Sequence, residues 1–276
     1  MADDDETEPA RARSTDGTEI AYWTTGSGPP LVLVHGVTAD HTRWRPLLPH
    51  IEPHATVHAL DRRGRGASGD APDYRLAREF EDVAAVVDAV AEAAGGPVDL
   101  YGHSFGGLCA FGAATLTGNV RRLVLYEGWP AVDPAAHDLP PHVAERLDAQ
   151  LAAGDREGAL VTVFRELVGM PDDELAPFRA QPSWQARLAA VHTISRELRA
   201  IHEAPFDPAR ARRITAPTLL VTGSDSSDPA RADLDVVAAA LANAQVAGLE
   251  GQGHVADVLA PDVFAPPVVA FLRAGS

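Results

Sequence analysis

Gly102-His103-Ser104-Phe105-Gly106, with Gly107 directly behind it, decides how this chain is read. Val98-Asp99-Leu100-Tyr101 in front of it is strand-like, and Leu108-Cys109-Ala110-Phe111-Gly112-Ala113-Ala114 after it reads as a helix of mostly small residues. A G-x-S-x-G pentapeptide between a strand and a helix is the nucleophile-elbow pattern. The turn is so sharp that a side chain at Gly102 or Gly106 would strike the neighbouring strand or helix. Ser104 is thereby raised above the sheet with a helix N-terminus aimed at it. Many Gly-rich turns match such a pentapeptide, so a base, an acid and an oxyanion donor must come from elsewhere in the chain.

The 276 residues can bury one large core. Hydrophobic residues make up 46% and charged residues 22%, a globular composition. No apolar run approaches the roughly 20 residues of a membrane helix. The acidic start, Met1-Ala2-Asp3-Asp4-Asp5-Glu6, is the opposite of a leader peptide, so a cytoplasmic location is expected. The net charge of -16, with no lysine at all, disfavours nucleic acid and acidic membranes as partners and leaves a small-molecule substrate. A single cysteine, Cys109, excludes an internal disulfide framework and reads as a buried thiol.

Residues 1–13 are charged and aperiodic and read as a disordered tail. Thr18–Trp23 alternates like an edge strand, and Leu31-Val32-Leu33-Val34 is continuously apolar, as in a strand buried on both faces. Thr56–Leu60, the strand before Ser104, Leu123–Tyr126, Pro217–Gly223 and Gln245–Leu249 continue the series. Leu76, Phe80, Val83, Val87 and Val90 recur at helical spacing until Gly95-Gly96-Pro97. Residues 133–209 carry helical stripes and no convincing strand, and read as a lid inserted into a core of residues 14–132 and 210–276. Asp228-Pro229 reads as a cap and first turn of a later helix. Pro266-Pro267 should break the closing helix near Phe264–Leu272. Alternating strands and helices predict an α/β fold with a mostly parallel sheet of about eight strands and helices on both faces. Active groups gather at the carboxyl ends of such strands. Those ends carry His35-Gly36-Val37, Asp61, Ser104, Glu127, Asp225 and His254.

Taken together, Leu33-Val34-His35-Gly36, Asp61-Arg62-Arg63-Gly64-Arg65-Gly66, the Ser104 turn and Gly251-Gln252-Gly253-His254, in that order, resemble the α/β-hydrolase fold family over nearly the whole chain. The resemblance implies that Ser104 is the nucleophile and His254 the general base. It also implies that the backbone N–H groups of Val37 and Phe105 form the oxyanion hole. A serine needs a base to take its proton, and a carboxylate must hold that base in the correct tautomer. The family most often places the acid three residues past the glycine that ends the later strand, and that position here is Ser226. Two carboxylates compete instead. Asp225 is one residue short of that position. Glu127 follows the preceding strand directly, where haloalkane dehalogenases of this fold carry their acid, and its extra methylene favours it. Asp228 stands behind both.

His35 and His103 read as structural, and Asp61–Arg65 as an ion-paired turn. The histidines lack metal-motif spacing, and G-H-S-F-G-G lacks the dinucleotide order, so no metal or cofactor is expected. Gly64–Gly69 fits the dinucleotide pattern without a following helix and reads as a chance match. The expected activity is cleavage of a small or medium acyl compound: an ester, thioester or lactone. A carbon–carbon bond hydrolase, a cofactor-free haloperoxidase-like perhydrolase and a small-molecule receptor on the same fold are the alternatives. The sequence carries no indication of oligomeric state.

Overall fold

The computed structural model describes residues 8–226 and 228–274. Eight strands form one sheet: β1 (Ala10–Arg13), β2 (Glu19–Gly26), β3 (Pro30–Val34), β4 (Thr56–Leu60), β5 (Val98–His103), β6 (Val120–Tyr126), β7 (Thr218–Gly223) and β8 (Ala244–Leu249). Their spatial order is β1-β2-β4-β3-β5-β6-β7-β8. From β4 to β8 all neighbours are parallel, and β2 joins antiparallel to β1 and β4.

The continuous apolar strands have the expected cause. Val32 and Val34 face a core shared with the helix Leu76–Ala94 and the helix Phe105–Ala113. Leu31 and Leu33 face a second core on the other side, with Trp44 and Phe264 of the closing helix Pro261–Arg273. Each face of the pleat needs apolar side chains, so no polar alternation survives. Successive strands leave β3 in opposite directions, β4 on one side and β5 on the other. The crevice at this switch point lies beyond the carboxyl ends of β3 and β5. Gly36 and Ser104 sit at that crevice.

Between β6 and β7 the chain makes helices only, from Pro134–His137 through Pro208–Ala211. They enclose an apolar cluster that includes Leu160, Phe164, Phe178 and Trp184.

Three expectations need correction. The stretch read as a disordered tail through Arg13 contains strand β1, paired from Ala10↔Tyr22 to Arg13↔Glu19. Ala12 is buried against the helix core, and this one inward side chain in a charged tetrapeptide was too weak a pattern to read. Residues 1–7 lie outside the described residues. The edge is therefore β1, and β2 is interior. Pro266 and Pro267 do not break the closing helix. Pro266 is exposed, while Phe264, Val268 and Phe271 stay buried, so the carbonyls left without an N–H partner lie near the surface.

Candidate active site

Ser104 takes φ 56° and ψ -131°, a conformation that a residue with a Cβ adopts only under constraint. Its backbone N–H donates to the Tyr126 carbonyl at 2.8 Å, tying the turn to β6. Its carbonyl accepts from Gly107 and Leu108 and so begins the helix. The glycines are required by space. A Cβ on Gly102 would stand 2.5 Å from the Gly106 carbonyl oxygen, and one on Gly106 would overlap the carbonyls of Val34 and His35. Phe105 opens the helix, whose first N–H groups have no acceptor one turn back.

Opposite it, the β3 loop brings Val37 to the same cavity. A Cβ on Gly36 would come 3.0 Å from the Ser104 Cβ, a tight contact to which the Ser104 turn would have to give. The Gly36 carbonyl accepts from His35 Nδ1 at 2.9 Å and from Arg62 Nη1 at 3.2 Å. Because a trans peptide is planar, these bonds also fix the direction of the Val37 N–H. His35 Nε2 accepts from the Arg62 backbone N–H at 3.1 Å. Burial, then the charges of Arg65 and Arg62, push the His35 pKa far down, so the ring is neutral and serves as a bracket. Arg62 also lies 4.4 Å over the Phe105 ring and is held by Glu79 and by Glu197 of the helical insertion.

His254 Nδ1 donates to Glu127 Oε2 at 2.7 Å. The other carboxylate oxygen, Oε1, accepts from the Gly223 N–H at 2.9 Å, from Thr222 Oγ1 at 3.2 Å and from Ser226 Oγ. Burial alone would raise the Glu127 pKa. The hydrogen bond and charge of His254, then the Ser226 and Gly223 donors, outweigh it and hold the carboxyl below its ordinary value. Glu127 itself has φ 44°. Among the described residues, the non-glycine residues with positive φ are Thr38, Ser104 and Glu127: two cavity residues and the neighbour of a third, Val37. Strain gathered at one place marks a functional site.

Asp225, the rival acid, is exposed and accepts from Ser224 Oγ at 2.9 Å, with no bond to His254. Its backbone N–H donates to the Gln252 carbonyl, which leads the side chain away. The side chain of Asp228 lies outside the described residues, and its backbone begins the helix Asp228–Ala240.

The loop that carries His254 is pinned from below. His103 Nε2 donates to the His254 carbonyl at 2.7 Å, and Tyr126 Oη donates to the Gly253 carbonyl. Asp257 is clamped by Arg43 at 2.9 Å and by Tyr101 Oη at 3.0 Å. The packing role read for His103 omitted its bond to the His254 backbone, since nothing in the local sequence places residue 254 beside residue 103. Burial, then the charges of Arg43 and His254, keep His103 neutral.

Ser104, His254, Val37 and Phe105 line one cavity of about 350 Å³, roofed by the helical insertion. Asp40, His41 and Asp61 bring three donor atoms within 4.8 Å of one another, a geometry that could hold a metal ion. Asp61 already accepts from the His41 N–H and the Ala67 N–H, at 2.8 Å each, and Asp40 from Thr42. These carboxylates serve the turn.

Residues 31–266 match the Alpha/beta hydrolase family. The chain belongs to the alpha/beta hydrolase family. Its relatives include 2-(acetamidomethylene)succinate hydrolase of Mesorhizobium japonicum, 26% identical over 90% of both chains. A pimeloyl-[acyl-carrier protein] methyl ester esterase of Xylella fastidiosa is 33% identical over 52% of this chain and 53% of its own length. Several other curated relatives are likewise matched over about half their length. Among solved structures, an alpha/beta hydrolase from Sphaerobacter thermophilus superposes with TM-score 0.79 at 38% identity, covering 95% of this chain and 100% of the other. Esterase RhEst1 from Rhodococcus sp. has TM-score 0.75 at 27% identity, covering 97% and 99%. Like them, this alpha/beta hydrolase is an enzyme of the hydrolase class. In this alpha/beta hydrolase Ser226, just past strand β7, donates its hydroxyl to Glu127.

Proposed function

We propose that this protein is a serine hydrolase of small or medium acyl compounds, with esters as the leading class. The observation that carries the reading is the 2.7 Å bond from His254 Nδ1 to Glu127, in a cavity that Ser104 and His254 share. With Nδ1 committed as a donor to the carboxylate, Nε2 is the acceptor and is available for a proton. In the proposed course, Ser104 Oγ attacks the acyl carbon while its proton passes to His254 Nε2. The carbonyl oxygen becomes an oxyanion held by the N–H groups of Val37 and Phe105. Collapse expels the alcohol, which takes the proton from His254, and leaves an acyl-enzyme. Water, deprotonated by His254, then attacks the acyl carbon and releases the acid and Ser104.

Both proposed oxyanion donors are fixed before substrate arrives, one by the clamped Gly36 carbonyl and one by the helix start. Fixed donors of this kind are worth on the order of 10²–10³ in turnover each. Glu127 is the orienting acid in this scheme, and Asp225 has no part in it. The insertion of residues 133–209 acts as the lid that shapes the acyl site. The test is hydrolysis of p-nitrophenyl esters together with fluorophosphonate labelling, in wild type and in Ser104→Ala. Turnover and labelling that both vanish in the variant support the reading; a wild type inert to both reagents refutes it.

A further inference from the structure

We propose that the acyl site accepts uncharged, apolar acyl groups and rejects those that carry a free carboxylate. This rests on the ester-hydrolase reading and adds the chemical class of its substrate.

Three observations point the same way. The cavity has apolar wall to offer an acyl chain, from Leu108, Trp129, Leu139, Leu167, Val168 and Leu198. Among the described residues that line the cavity there is no arginine, and the chain has no lysine. The basic group there is the His254 imidazole, which already serves Glu127. The remaining charged groups on the cavity are the carboxylates Asp138 and Glu166. Each is exposed and already has a hydrogen-bond donor: Asp138 accepts from His202 Nε2 at 2.6 Å, and Glu166 from Arg146 at 2.6 Å.

Arg146 is bonded to the cavity's Glu166, and Arg62, Arg187 and Arg199 do not line the cavity. Arg62 lies behind the Phe105 ring, fully buried, and is saturated by Glu79, Glu197 and the Gly36 carbonyl. Arg187 is turned into the insertion, 4.8 Å from the Phe178 ring. Arg199 lines an adjoining cavity that shares Asp138, Leu139, Leu198 and Ile201 with the acyl site, and Asp148 lines it too.

An acyl carboxylate entering here would lose water and find no arginine or lysine among the described wall residues. Its desolvation would go uncompensated. A net charge of -16 also slows the approach of any anion at low salt. An alkyl chain of the same length carries no charge to desolvate and can pack on the apolar wall.

Three p-nitrophenyl esters with one leaving group test this: the pentanoate, the mono-ester of glutarate, and that mono-ester with its free carboxyl capped as a methyl ester. The last two differ in charge at nearly equal size. Nitrophenolate release should give a kcat/KM for the pentanoate about 100-fold or more above the free glutarate ester, because an unpaired ion in an apolar site is strongly disfavoured. The methyl-capped ester should recover to within about 10-fold of the pentanoate, since only the charge is removed. A free glutarate ester within about 10-fold of the pentanoate overturns the proposal and leaves the hydrolase reading standing. Equal slowness of the capped and free glutarate esters also overturns it, because size and not charge would then discriminate. If none of the three reacts, the hydrolase reading itself fails and this proposal falls with it.

Discussion

Glu127→Gln is the perturbation on which the site geometry makes its sharpest statement. Oε1 of Glu127 receives three donors: the Gly223 N–H, Thr222 Oγ1 and Ser226 Oγ. In the glutamine variant those donors will select the amide oxygen for that place. The NH2 group must then occupy the Oε2 place, 2.7 Å from His254 Nδ1. Two donors cannot face each other, so the imidazole will move its proton to Nε2 and present Nδ1 as the acceptor. The nitrogen that should take the Ser104 proton is then already protonated. Loss of the correct tautomer in a comparable triad costs about 10⁴ in kcat, or about 5 kcal/mol of barrier at 1.36 kcal/mol per decade. The fold should survive, because every donor around the side chain keeps an acceptor. Nitrophenyl ester hydrolysis in wild type, Glu127→Gln and Asp225→Asn, with thermal melts for each, measures the effect. Asp225→Asn should stay within about 2-fold of wild type, since an exposed side chain bonded only to its neighbour is a surface substitution. A Glu127→Gln variant that retains more than a tenth of wild-type turnover, or an Asp225→Asn variant equally impaired, refutes the reasoning.

Ser104→Ala should melt within a few degrees of wild type and lose on the order of 10⁵ or more in turnover, with no fluorophosphonate adduct by mass spectrometry. Glu197→Ala leaves Arg65 and Arg62 short of a fully buried carboxylate. Urea titration should show a loss of about 3–5 kcal/mol, the cost of breaking a buried pair from one side. Acid stability follows from Glu127. Its folded pKa lies below the unfolded value, so it contributes stability above about pH 4.3 that is lost as pH falls through the folded pKa. Denaturant midpoints of Glu127→Gln should therefore change less steeply than wild type on the acid side, and parallel curves would contradict this.

The sheet was legible because Leu31–Val34, Leu123–Tyr126 and Pro217–Gly223 are apolar on both faces, which few other structures need. The strand-end residues followed from the same pattern, since a parallel sheet sends all those ends one way. Between Glu127 and Asp225 the sequence offered only one methylene of reach in favour of Glu127. Glu127 and Asp225 differ in reach across β6 and β7, and that reach depends on the 44° φ of Glu127 and on the backbone turn that aims Asp225 outward. Backbone angles of this kind leave no mark on residue type when the residue is not glycine. The links between His103 and residue 254, and between Glu197 and Arg62, were hidden for another reason. They join segments 151 and 135 positions apart, and a side chain paired at that distance looks in sequence like any surface charge or stray histidine. Strand β1 and the unbroken closing helix were missed where burial on one side overrode weak local preference.

Val255 and Val258, just past His254, are packed into the apolar cluster of the helical insertion rather than into either sheet core. The roof and the floor under the imidazole are therefore one piece of upholstery. Anyone transplanting this insertion onto a cousin, to exchange substrate range, would have to carry both valines along. A graft that leaves them behind puts foreign side chains beneath the histidine and alters its seat while appearing to alter only the ceiling.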